Sequence, residues 1–511
     1  MGLLEGPGLV LLGVIGILLS YRFLFRNPTL LRDGVPLRKP PNTLPLVGNG
    51  ILFLQARQKL FSWFVKCERQ FGRETFQISV PSLPPGVVIN DPKNLEYVFK
   101  HEGVFGKGDF FKQRSWDLFG RGIINVDGEP WRAQRKAGLA FLNAANLRVL
   151  TDVALPQYLS NSVASLRQRG GDEGGVVDLQ SVFHEITSQL MGKMAYNMEM
   201  HTDDEFTVAF DHASGVTAER FQNPLWFVTE LVTGARFRRS LATVKSFGEK
   251  LVRSAIEDRR NKTHAASESK LDEVSGTLIQ SFLDTISNEE FVAEAALNYL
   301  SAGRDTVAQA LTWTMMLLMH SRPATGKVRE EVQQLVQDLE GSGEADDEGK
   351  AALSVNFTPV ALPYTMAVFY ESLRLYPPIP FEIKQCEKAT TLPDGTFLPA
   401  KSVLVFCPWA MNRSRLSWGE DADEFRPERW LVDGKLVAKS ASEFPVFNGG
   451  ARTCLGKKMA ELMAAQVIAT MILTFDFMPA YSTKRVSKSS LTLPMEGGLP
   501  CYVRTRKEAR G

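Results

Sequence analysis

The sequence predicts a mainly α-helical fold with small β-sheets, built as one large domain. Three observations point there. Helical apolar spacing runs through long stretches, above all 290–320 and 365–376. Strand-like runs lie toward the two ends. Phe76-Gln77-Ile78-Ser79-Val80 and Gly86-Val87-Val88-Ile89 flank a proline-rich turn, and Leu491 to Leu499 reads as strand, turn, strand. No linker divides the middle of the chain, although 511 residues alone would suggest about three or four domains.

The first residues form a separate element. Gly8 to Tyr21 is apolar and uncharged, short for a spanning helix of about 20 residues, and Phe23, Leu24 and Phe25 extend it. Glu5 precedes the run, while Arg22, Arg26, Arg32, Arg38 and Lys39 follow it, which places the body of the protein on the cytosolic side. Residues 1–26 therefore read as a membrane anchor, 27–49 as a basic and proline-rich hinge, and 50–511 as the folded domain.

Composition is ordinary for a globular protein, with 44% hydrophobic and 23% charged residues. A net charge of +2 selects no partner, and no nucleic acid is expected. The five cysteines, Cys67, Cys386, Cys407, Cys454 and Cys501, are scattered and odd in number, which favours a reducing compartment over a disulfide framework. The sequon Asn261-Lys262-Thr263 would be silent in the cytosol. Segments 261–270 and 340–350 read as exposed loops, and no internal repeat is visible. No G-x-G-x-x-G follows a strand, so no bound flavin or nicotinamide is expected.

The chemistry is concentrated in Phe447-Asn448-Gly449-Gly450-Ala451-Arg452-Thr453-Cys454-Leu455-Gly456. This is a loop suited to hand one thiolate to a haem iron. A thiolate donates electron density through the metal and must be shielded from water and oxidants. Gly450 and Gly456 would allow tight turns, Arg452 could reach a haem propionate, and Phe447 could cover the sulfur. Backbone N–H groups after Cys454 could bond the sulfur and tune the iron.

That run, read as F-x-x-G-x-R-x-C-x-G, resembles the cysteine-loop signature of the cytochrome P450 superfamily, the haem-thiolate monooxygenases. Four upstream features occur in the family's order. Trp131-Arg132-Ala133-Gln134-Arg135 resembles the W-x-x-x-R helix, which implies that Trp131 and Arg135 contact the haem propionates. Ala302-Gly303-Arg304-Asp305-Thr306 resembles the oxygen-activation motif. By that resemblance Gly303 leaves room for O2, Thr306 bonds back to a carbonyl, opens the helix ladder and holds a water, and Asp305 is the acid end of a proton relay. Glu371-Ser372-Leu373-Arg374 resembles the E-x-x-R element, and Phe425-Arg426-Pro427-Glu428-Arg429-Trp430 the P-E-R-F element with Trp in the last place. Glu371, Arg374 and Arg429 would then form a buried network locking the cysteine loop. Lys384 stands where relatives place a cation on a propionate.

The resemblance implies a cytochrome P450 fold, haem b with Cys454 as axial ligand, and insertion of one oxygen atom of O2 into a lipophilic substrate. Electrons would come from an NADPH-cytochrome P450 reductase, with cytochrome b5 as a second donor. Lys457, Lys458, Arg132 and Lys136 would offer a basic docking face. The proline-rich run from Lys39 resembles the hinge of microsomal relatives and implies the endoplasmic reticulum membrane.

Three segments resemble the branch that hydroxylates fatty acids and alkanes at the chain terminus: 105–108 with 122–128, 302–311, and Leu392-Pro393-Asp394-Gly395. Phe110, Phe111, Trp116 and Phe119 could line a narrow channel. Lys112, Arg114 and Arg220 could meet a substrate carboxylate, and spacing does not choose among them. Phe221, Leu225, Trp226 and Phe227 could dip into the bilayer, and Pro494 to Gly498 could touch substrate. Ala302 replaces a glutamate that esterifies the haem in a related branch, so the haem here should be extractable. A broader oxidase of ring-shaped or foreign compounds is the alternative, as is a haem-thiolate protein that binds or rearranges ligands without activating O2.

Overall fold

The structure is a computed structural model and describes residues 13–17, 20, 28–45, 47–80, 83–170, 175–261, 277–341 and 356–506. The helices that position the site are α1 (Arg57–Phe71), α2 (Gly108–Phe119), α3 (Gly128–Phe141), α4 (Leu179–Tyr196), α5 (Glu205–Gln222), α6 (Trp226–Thr233), α7 (Glu289–His320), α8 (Pro363–Leu375) and α9 (Lys457–Thr474).

Everything is arranged about α7. Its 32 residues begin at Asn288, whose side chain accepts the Phe291 N–H at 2.8 Å. Glu289 and Glu290 in the first turn suit the positive end of the helix. Most of the middle is buried, as Leu300, Ala308, Leu311 and Thr312 show, and that requires protein packed against it. Helices α4, α8 and α9 supply much of it.

The strands used below are β1 (Phe76–Ile78), β2 (Gly86–Val88), β3 (Phe105–Gly106), β4 (Val176–Asp178), β5 (Glu382–Cys386), β6 (Val403–Phe406), β7 (Phe475–Pro479) and β8 (Pro500–Thr505). A mixed five-stranded sheet has the order β1-β2-β6-β5-β3. In it β6 runs parallel to β2 and antiparallel to β5, with Leu404 opposite Lys384. A second, antiparallel sheet has the order β7-β8-β4. The mainly helical class with small sheets is therefore what the chain adopts.

Two expectations change. The strand–turn–strand over 491–499 is absent; only a single bridge, Ser487 to Met495, forms there. Helix side chains take the place of a partner strand. Gln309 Oε1 accepts the Leu493 N–H at 2.7 Å, Trp313 Nε1 donates to Leu493 O at 2.8 Å, and Gln180 bonds both polar groups of Met495. The expected hinge also belongs partly to the folded body. Leu31–Arg32 pairs with Thr396–Leu398, and Leu30 and Leu37 are buried beside Leu398. Arg32 and Arg38 both pair with Glu74 at 2.9 Å. The expected anchor lies mostly outside the described residues, among which no helix is long and apolar enough to cross a membrane.

Candidate active site

The cysteine loop closes on itself. The Cys454 N–H donates to Phe447 O at 2.8 Å, and the Thr453 N–H to Gly450 O at 3.2 Å. Gly450 has φ +61°, and a Cβ there would lie 2.1 Å from the Phe99 carbonyl oxygen, so this turn demands glycine. Gly456 does not: its φ is −84° and a Cβ would meet nothing within 4 Å.

Among the five cysteines, Cys454 alone is accessible; the other four are buried. Yet Cys454 lies deep in the fold, so the space its sulfur borders is internal. Burial pushes its thiol up, while the backbone N–H groups of Gly456 and Lys457 and the charge of Arg135 pull it down. Burial pushes Cys67 and Cys501 to about 12 and Cys386 to about 11, out of reach of thiolate chemistry at neutral pH.

Cations gather beside the loop. Arg135 on α3 donates to Thr453 O at 2.9 Å. The Trp131 ring lies 4.1 Å from the Arg452 guanidinium and 5.5 Å from that of Arg135. Lys384 on β5 is buried, with no carboxylate in ion-pair range among the described residues. Burial, with Lys107 adding to it, holds Lys384 down at about 8. Arg452 is committed elsewhere: to Glu102 at 3.2 Å, Asp127 at 2.7 Å and Val126 O at 3.0 Å.

The charges expected to lock the loop are buried outright. Arg374 makes two bonds to Glu371, both 2.8 Å, and spends its remaining donors on the carbonyls of Asn412, Ala422 and Glu424. Arg429 reaches the same carboxylate at 2.9 Å. Trp430 adds what the family's phenylalanine could not, an indole N–H donated to Glu371 Oε2 at 2.9 Å. Trp430→Phe should therefore cost about 1.5–3 kcal/mol, read as a lower urea midpoint with the haem spectrum retained.

On α7, the Thr306 hydroxyl donates back to Ala302 O at 2.8 Å, as the sequence suggests, but the helix runs unbroken through this turn. Ala302 is exposed in the middle of an otherwise buried helix, so it faces internal space, and Thr306 shares its face one turn on. Gly303 does not. A Cβ there would lie 2.5 Å from Met191 Sδ on α4, so the absent side chain serves helix packing, and the room above the site belongs to Ala302.

Asp305 points to another face. Its carboxylate takes Arg304 Nε at 2.6 Å, and Arg304 Nη2 holds Asp211 of α5 at 2.8 Å. Asp305 lines a polar cavity of ≈ 150 Å³ with Gln180, His184, Asp211, Gln309 and Lys488. His184 Nδ1 stands 4.0 Å from Asp305 Oδ1. Burial pushes Asp305 up to about 6 against the pull of Arg304. Sequence reading missed Arg304, Asp211 and His184. Arg304 lay inside a quoted motif, but its partner Asp211 is 93 residues away, where spacing carries no signal.

A sequence profile of the cytochrome P450 family matches residues 38–500. This chain belongs to the cytochrome P450 family. Cytochrome P450 94B1 of Arabidopsis thaliana is 28% identical over 99% of both chains. Cytochrome P450 94A1 of Vicia sativa is 28% identical, covering 91% of this chain and 90% of its own. Cytochrome P450 704B1 of Arabidopsis thaliana is 30% identical, covering 86% and 89%.

As a cytochrome P450, the chain is a monooxygenase that uses haem with a cysteine thiolate ligand, O2, a lipophilic substrate and a separate redox partner. The residues present fit that cofactor. An accessible but interior sulfur suits a metal ligand, and a buried lysine lacking a carboxylate suits a propionate. Bound haem supplies the redox centre at which O2 is activated.

The channel residues separate. Phe110 and Phe119 are buried, whereas Trp116 is 47% exposed and lines nothing internal. The rings of Phe110 and Phe111 lie 6.3 and 5.1 Å from that of Phe221 at the end of α5.

Proposed function

We propose that this cytochrome P450 hydroxylates fatty acids or alkanes at or near the chain terminus. Cys454 provides the thiolate, Phe447 covers the sulfur side, and Trp131, Arg135 and Lys384 receive the propionates. Arg452 stands at the same edge, pinned by Asp127 and Glu102. Thr306 presents its hydroxyl to the internal space, and Asp305, held near 6, can both carry and release a proton at neutral pH. Gly303 acts indirectly, by seating α7 on α4.

One observation carries the substrate reading. Helix α6 has no buried residue, and Leu225, Phe227, Val228, Leu231 and Val232 stand exposed along it. It follows α5 directly, and Phe221 at the end of α5 packs on Phe110 and Phe111. A surface suited to lipid is thus joined to an aromatic wall, which favours long apolar substrates arriving from a bilayer.

The same surface supports a membrane-bound enzyme. We place residues 1–26 in the endoplasmic reticulum membrane and residues 50–511 on its cytosolic side, with 27–49 between them. NADPH-cytochrome P450 reductase, and cytochrome b5 as second donor, would meet the exposed Arg132, Lys136 and Lys458. Lys457 instead lies over the Phe447 ring at 5.4 Å.

Product regiochemistry tests the proposal. Microsomes holding the enzyme and a reductase, given NADPH with mixed fatty acids and alkanes, should yield mainly terminal alcohol or diacid. Scattered in-chain products, or turnover of ring compounds alone, would move the enzyme to the broader oxidase class.

A further inference from the structure

Arg114 is a buried cation without an anion. It lies on α2, its Nη1 donating back to Phe110 O of its own helix at 3.0 Å, its guanidinium 3.9 Å from the Phe110 ring centroid. Its Nε is enclosed and has no acceptor, and no carboxylate lies in ion-pair range among the described residues. Burial alone holds its pKa at about 10, with no acid raising it. A guanidinium stored this way is costly unless an anion arrives.

The other candidate cations are already used. Lys112 pairs with Asp127 at 2.9 Å. Arg220 grips Glu230 at 2.6 and 2.7 Å and Asp117 at 2.9 Å, and these acids more than offset its burial. Arg57, also buried without an acid, ties down the carbonyls of Lys488 and Ser490 at 3.0 and 2.6 Å, so its role is structural.

The position of α2 gives the orphan charge its use. Phe119 O accepts from Asn298 of α7 at 2.9 Å, the Phe110 N–H donates to Gln385 of β5 at 3.2 Å, and Arg114 O accepts from Arg220 of α5 at 3.1 Å. The backbone of α2, from which the guanidinium projects onto the Phe110 ring, is thus tied to the helix that carries Ala302 and Thr306, to the strand that carries Lys384, and to α5, whose Phe221 completes the aromatic wall.

Resting on the fatty-acid reading above, we propose that Arg114 receives the carboxylate of the substrate. The planar fork of arginine matches a carboxylate with two parallel hydrogen bonds. Holding the acid end in the wall leaves the methyl end as the part free to approach the reacting centre. Alkanes gain nothing from Arg114, so acids are the preferred class.

The test compares dodecanoate with dodecanol on the holoenzyme, by spectral titration and thermal shift. Arg114→Gln should raise the dodecanoate Kd about 10- to 100-fold and leave dodecanol within about twofold. Arg114→Lys should recover part of the loss, and Arg57→Gln should not separate acid from alcohol. The ligand-free Tm of Arg114→Gln should hold or rise, because an uncompensated buried charge has been removed. Equal loss for both ligands, unchanged dodecanoate affinity, or failure of both Arg114 variants to take up haem would overturn the assignment. Wild-type enzyme that binds neither ligand would instead remove the fatty-acid reading, and this inference with it.

Discussion

Glu371→Ala should yield a chain that does not hold haem. Two guanidiniums, an indole N–H and the backbone N–H of Arg426 converge on this fully buried carboxylate. Removing it strands Arg374 in a low-dielectric interior with no counter-charge and leaves Arg429 only Asp421, at 3.3 Å. Breaking such a pair from one side costs about 3–5 kcal/mol, against a total stability of about 5–15 kcal/mol. The loss falls on the aromatic cluster between α8 and the cysteine loop, in which the Trp430 ring stacks on Tyr370 and meets Phe444 edge-on, and Tyr370 lies 6.5 Å from Phe447. Haem content of the purified protein and the urea midpoint should drop together. Glu371→Ala protein with full haem occupancy and an unmoved midpoint would show that the network is not what braces the loop.

Cys454→Ser should remove the thiolate-type absorbance of the reduced carbon monoxide complex and abolish monooxygenase turnover, while leaving the fold intact. The chain has no substitute: Cys67, Cys386, Cys407 and Cys501 are buried, with thiols pushed up by desolvation. Serine is smaller than cysteine and the Cys454 N–H bond to Phe447 O is a backbone bond, so the loop can keep its shape. Cys501→Ser provides the comparison and should keep the spectrum. Survival of the thiolate-type band in Cys454→Ser would remove the ligand assignment.

What was legible in the sequence follows a physical divide. Short fixed spacings exposed the long helix about Thr306, the Glu371–Arg374 pair and the glycine turn at Gly450, because each depends on neighbours three to six residues away. Contacts between distant elements were silent. Nothing near Asp305 announces Asp211 or His184. The 491–499 segment has the alternation of a strand, yet Gln180, Gln309 and Trp313 satisfy its backbone instead. The direction of a side chain was equally hidden. Trp116 has the composition of a channel residue and faces outward, and Gly303 turns its missing side chain toward α4. The three cations near the substrate space looked interchangeable until Lys112 and Arg220 were seen to have acids of their own.

The close seat of Gly303 on Met191 gives two adjacent positions very different neighbourhoods. A side chain at 303 would have to displace the Met191 thioether from its place between the two long helices. At 302 the methyl group looks into open space, and a larger residue there meets no packed neighbour helix. The chamber can therefore be remodelled at 302 without the shift of the Met191 side chain that a change at 303 requires. Redesign of this enzyme for bulkier or slimmer molecules has its most tolerant starting point at Ala302.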